Sequence, residues 1–151
     1  MIKVLSYLWP RATLQRCVVH VQRQGLVWCR SQPKTTYARK LRKIFLEVTQ
    51  IRTAQDRDRF VESVGEWESS YGYLIARRPE VGHVFSDIKR ARSMLRRALP
   101  DMFHYLDDPH IPRSTNSLEG YFSRVKNRQH RGLRKTKLSS YFAWYLSIPP
   151  K

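Results

Sequence analysis

Apolar residues recur through the middle of the chain every three or four positions, the spacing of one helix face. Tyr37, Leu41, Ile44, Phe45, Val48 and Ile51 form such a stripe, and Arg39, Lys40, Arg42 and Lys43 fill the positions between them. A second stripe, Phe60, Val61, Val64, Trp67, Tyr71, Leu74 and Ile75, predicts a helix from about Ala54 to Arg78 whose outer face carries the largest group of acids, five of the twelve. A third is expected near Ser86, a suitable N-cap, with Ile88, Ala91, Leu95 and Leu99 inward and Lys89, Arg90, Arg92, Arg96 and Arg97 mostly outward. Pro109 and Pro112 make 107–112 a loop. A fourth helix follows from about Asn116 to Arg128 on Leu118, Tyr121, Phe122 and Val125. Leu138, Tyr141, Phe142 and Tyr145 point to a last short one.

The N-terminal stretch reads differently. Ile2, Leu5 and Leu8 have helical spacing but are too few to hold a helix alone, so they read as the end of something longer. Trp9-Pro10 breaks that pattern. Leu14 to Val21 is short and valine-rich, and Gln24-Gly25 closes it, so a β-strand is expected there. A lone strand leaves its backbone groups unpaired, so its sheet partners must come from elsewhere. The expected class is mainly α with this one strand.

Charge changes the picture more than length does. The 151 residues are 41% hydrophobic, an ordinary globular balance, but 29 Lys and Arg face only 12 Asp and Glu, a formal +17. Such a surplus repels itself unless a polyanion neutralises it, which makes nucleic acid the first partner to consider. No apolar run approaches the roughly 20 residues that span a bilayer, so no membrane partner is expected. The N-terminus lacks the small-residue cleavage site of a signal peptide. Cys17 and Cys29 do not make a disulfide framework, so a cytoplasmic location is expected.

The chemistry concentrates late in the chain. Between Arg113 and Lys137 stand eight Lys and Arg and a single acid, Glu119. One reading is a capping box, with Asn116 as N-cap and Glu119 reaching back to its N–H. The other is a metal ligand at a helix start, with Mg²⁺ taking this carboxylate plus phosphate oxygens that the cations hold. Elsewhere, Cys17, His20 and Cys29 offer three zinc ligands, with a fourth from His83, His104, His110 or His130. Their spacing fits no closed structural zinc site, and on a strand Cys17 and His20 would point to opposite faces.

Pro112-Arg-Ser-Thr-Asn-Ser-Leu-Glu-Gly-Tyr-Phe-Ser-Arg-Val-Lys126, followed by His130-Arg-Gly-Leu133, resembles the block around the last catalytic carboxylate of bacterial insertion-sequence DDE transposases, closest to the group related to Mutator-like elements. Leu14-Gln-Arg-Cys-Val-Val-His-Val21 is similar to that group's Cys-x-x-His strand, through Cys17 and His20. The resemblance implies a C-terminal remnant of an RNase H-like α/β catalytic core with an all-helical insertion. Residues 1–30 would be core remnant, 31–112 the insertion, and 113–151 the catalytic-glutamate helix and basic tail. It implies that Glu119 is the third acid of a DDE triad holding two Mg²⁺ or Mn²⁺ ions for DNA strand cleavage and transfer. Asn116 belongs to the same motif. Arg113, Arg124, Lys126, Arg128 and Arg131 become the expected phosphate contacts, and Arg134, Lys135 and Lys137 extend the patch. The family's two aspartates lie upstream of the Cys-x-x-His strand, whereas here no acid precedes Glu47. The chain is therefore expected to be a truncated transposase, inactive alone, with DNA as partner and with a second copy or the missing N-terminal portion as further ones. A small basic nucleic-acid-binding protein with no enzymatic role is the alternative.

Overall fold

The computed structural model describes Tyr7, residues 10–77, 83–116, 119–120 and 122–123, and only the backbone of 83–86. The chain divides into two units, Met1–Ser114 and Thr115–Lys151. The described part is mainly helical, and no strand occurs among the described residues. Apart from Tyr7, the expected segments around Ile2–Leu8 and Leu138–Tyr145 lie outside the described residues.

In the first unit, α1 spans Val18–Cys29, α2 Thr36–Glu47 and α3 Ala54–Trp67. A π-turn over Glu68–Gly72 leads into α4, Tyr73–Arg77, and α5 runs His83–Ala98. A 3₁₀ turn, Leu99–Asp101, and the short α6, His104–Asp107, follow. The packing closes a ring: α1 lies against both α2 and α5, α2 against α3, and α4 against α5. One apolar core fills it, built on Val18, Val21, Leu41, Phe45, Val48, Phe60, Trp67, Ile88, Leu95 and Met102.

The strand expected over Leu14–Val21 is not there. Residues 12–17 have no regular structure and carry no ladder, and from Val18 the chain is helix. The valines misled because β-branching lowers helix propensity only slightly, by some tenths of a kcal/mol, while burial of a stripe outweighs it. Val18, Val21, Gly25 and Cys29 are that stripe. Gly25 is no turn signal either: it sits mid-helix, and a Cβ there would overlap the Phe45 ring of α2. That segment is held by its backbone, Arg16 N–H donating to the Asp101 carbonyl at 2.7 Å. The Gln15 side-chain amide donates to the Met102 carbonyl at 2.8 Å.

The α2 stripe is buried as its spacing predicts, from Tyr37 through Ile51. The next helix begins as expected but with a cap that the hydrophobic pattern does not reveal. Asp56 N–H donates to Thr53 Oγ1 at 3.1 Å, and Thr53 N–H donates back to Asp56 Oδ2 at 3.0 Å. The expected single helix to Arg78 is interrupted by the π-turn, which shifts the phase so that Leu74 turns outward; Val61, upstream of the turn, is exposed as well. The bulge has a purpose within the fold. Gly72 has no Cβ, which would lie 2.6 Å from the Glu68 carboxyl carbon, so that carboxylate passes over bare backbone to reach Arg92 on α5. Arg92 is therefore inward and paired rather than outward. Ser86 is not an N-cap, since α5 starts a turn earlier at His83. The 107–112 loop is irregular except that Asp107 closes α6.

Candidate nucleic-acid interface and carboxylate helix

Glu119 stands near the start of the second unit's helix. Its N–H donates to the Thr115 carbonyl at 2.8 Å, the first bond of the helical ladder, and the Thr115 hydroxyl donates to Glu119 Oε1 at 3.1 Å. Asn116 is already helical and exposed, so the cap position falls on Thr115, one residue before the expected Asn116. The carboxylate is half-buried and oriented by that hydroxyl.

Arg113 closes the first unit. Its guanidinium donates to the Thr49 carbonyl at 2.7 Å, just past α2, and lies 5.8 Å from the centre of the Tyr105 ring. The Arg113 carbonyl accepts from Val18 N–H at 3.2 Å. The expected phosphate contact thus joins the entry of α1 to the exit of α2. Arg124, Lys126, Arg128, Arg131, Arg134, Lys135 and Lys137 lie outside the described residues.

Cys17 and His20 come out differently from the strand reading. Cys17 is the N-cap residue of α1 and His20 its third helical residue, so the two belong to one turn rather than to opposite faces. Cys29, twelve residues on at the other end of α1, is about 18 Å away at 1.5 Å per residue and cannot share a metal with them. Burial pushes its thiol up to about 12, with the Arg42 charge pulling the other way. Among the described residues no group of three His, Cys, Asp or Glu converges. The His83 side chain and His130 lie outside the described residues.

The carboxylate that sequence reasoning missed is Glu68. Arg92 donates from Nε to both its oxygens at 2.9 Å, and a second guanidinium N–H also bonds Oε1. The bond from Arg92 holds the Glu68 carboxyl below its ordinary range and raises Arg92 in turn. A Glu followed four residues later by Gly was the available signal, but nothing in the hydrophobic spacing couples it to Arg92. An open cleft of about 850 Å³ separates α2 from α3, lined by Lys40, Lys43, Glu47, Glu62 and Glu66. Lys40, Lys43 and Glu47 on the α2 wall face Glu62 and Glu66 on α3, so the mixed charges select no simple ion.

No protein-family model, curated protein or solved structure matches the chain.

Proposed function

We propose that the chain corresponds to the C-terminal portion of a bacterial insertion-sequence DDE transposase related to Mutator-like elements, and that it binds DNA. On this reading residues 1–30 border an RNase H-like core, and 31–112 are its helical insertion. Glu119 is the third acid of the triad. The observation that carries the reading is the placement of Glu119, the sole acid from Arg113 to Lys137, near a helix start with its carboxylate oriented by Thr115. The loss of the Leu14–Val21 strand leaves the reading on the Glu119 block rather than on the Cys17–His20 motif.

The donor set decides what chemistry the chain performs by itself. Two divalent ions in a DDE site are shared by three acids, and one carboxylate held by a hydroxyl does not fit that centre. No catalytic step is therefore assigned to this chain. Its cations hold phosphates and Glu119 waits for partner acids. Binding to duplex DNA should follow counterion release, falling about a thousandfold from about 50 to 200 mM salt if about six phosphates are contacted. Salt-independent binding, read by fluorescence anisotropy, overturns the DNA contact. Nicking of DNA with Mg²⁺ that is lost on Glu119→Gln overturns the assignment of no autonomous activity.

The hydroxyl–carboxylate bond also suits the plainer reading, a basic nucleic-acid-binding protein in which Glu119 only starts a helix. There Glu119→Gln costs about 1 kcal/mol or less, because an amide oxygen accepts the same bond. Divalent-ion binding that disappears in this variant, with stability kept, favours the metal role.

A further inference from the structure

We infer that the outer ridge of the α1–α2 hairpin is a second DNA-backbone surface, separate from the Glu119 block. This rests on the proposal that the chain binds DNA and adds where in the first unit it does so. Residues 10–46 hold nine Lys and Arg and no acid. The two helices run antiparallel. Near one end the Gln22 amide donates to the Leu46 carbonyl at 3.1 Å and to Thr49 Oγ1 at 2.9 Å. Near the middle Gly25 takes the Phe45 ring, and at the other end the Arg42 charge reaches Cys29. Those contacts fix which residues face away. On α1 and at its exit these are Arg23, Val27 and Arg30; on α2 they are Arg39, Lys43 and Leu46, with Arg42 half-buried at the seam.

Three properties of this ridge point to phosphate. First, its cations are not consumed by the fold: among the described residues they make one ion pair, Arg30 with Asp87 at 3.8 Å, and the Arg30 side chain stays 53% exposed, while Lys43 borders the cleft that holds Glu47, Glu62 and Glu66 without pairing with any of them. Second, four of the five cations are arginine, whose planar fork grips a phosphate with two parallel bonds. Third, Arg30 occupies φ 64°, ψ 165°, backbone territory that belongs to glycine. An arginine kept where glycine would relax the chain is placed there for its side chain. Val27 and Leu46, 68% and 45% exposed, supply apolar contact between the cations, too little for a lipid surface and suited to sugar faces.

The test uses the full chain, a duplex of about 30 base pairs, and two triple variants that lose equal charge. One is Arg23→Gln, Arg39→Gln, Lys43→Gln on the ridge; the other is Arg52→Gln, Arg90→Gln, Arg97→Gln elsewhere. The ridge triple is expected to lower the log–log salt slope by roughly 2 to 3 and to weaken binding tenfold or more, the control triple by less than about threefold. Equal losses in both triples, or none in the ridge triple while the wild type binds with a steep salt slope, overturn the ridge and leave DNA binding standing. A wild type that does not bind DNA overturns both, including the case in which it binds anionic vesicles instead. Arg30→Gly guards against misfolding as the cause: it is expected to melt at a higher temperature yet bind DNA several-fold more weakly. Unchanged affinity in that variant counts against the ridge.

Discussion

The α1–α2 hairpin and the α3–α4 arm are built from similar lengths of helix and hold together by different physics. The hairpin's one acid, Glu47 at the end of α2, pairs with none of its cations among the described residues, and its cohesion is mainly steric, a bare Gly25 backbone against the Phe45 ring, beside the Gln22 bonds to Leu46 and Thr49. The arm carries Asp56, Asp58, Glu62, Glu66 and Glu68 and uses several of them internally. Asp56 caps the helix start and Glu68 reaches across to Arg92. A strongly basic protein thus concentrates its internal charge pairing in one region and leaves another unneutralised. The second is where a polyanion gains most by binding.

The comparison breaks most visibly at the steric joint. Phe45→Ala should cost about 3–5 kcal/mol in urea melts, since it empties the centre of a core whose Phe45 is 0% exposed. Gly25→Ala should cost about 1–3 kcal/mol by overpacking, and Phe45→Leu added to it should recover part of that loss. If the two changes simply add, the close approach is not what holds α1 on α2.

In the arm, Glu68→Gln should cost about 1–2 kcal/mol, because it leaves the Arg92 guanidinium, 15% exposed, without its charged acceptor. The sign with pH follows from the direction of the shift. Glu68 ionises more readily folded than unfolded, so its contribution is present above its ordinary value of 4.5 and is lost as pH falls through the lower folded value. Melting temperatures should therefore drop in that acid range for the wild type and drop less steeply for Glu68→Gln. Parallel acid limbs would show that the pair contributes nothing. Thr53→Ala, which removes one half of the reciprocal cap, should cost about 1 kcal/mol.

What could be read in advance divides along the same line. The α2 and α5 stripes were legible because amphipathic spacing reports burial directly: Leu41, Phe45, Ile88 and Leu95 are where their period puts them. Helix α1 was not, because Cys17-Val-Val-His-Val21 satisfies both a short strand and a helix stripe, and only the Phe45 ring across the gap decides between them. The π-turn was invisible for a related reason. It is set by a partner on α5, not by any local preference of Glu68–Gly72. At the candidate site, the helix start before Glu119 was legible nearly to its register. The one-residue shift of the cap to Thr115 is the kind of boundary that local preference leaves open.

The smallest effect separates the two regions most cleanly. Arg23 and Lys43 make no ion pair among the described residues, and Arg39 donates only to Thr36 at 3.3 Å on the exposed surface. Neutralising all three therefore removes no contact worth more than some tenths of a kcal/mol, and it lowers the self-repulsion of a chain at +17. Stability should stay within about 0.5 kcal/mol of the wild type or rise at low salt, and the gain should vanish as salt screens the wild type's own repulsion. A clear loss instead would mean that these cations are internal struts like Arg92, and the contrast between hairpin and arm would fail. If the gain appears, the hairpin keeps its charge at the expense of its own stability, as a surface that is completed by a partner must.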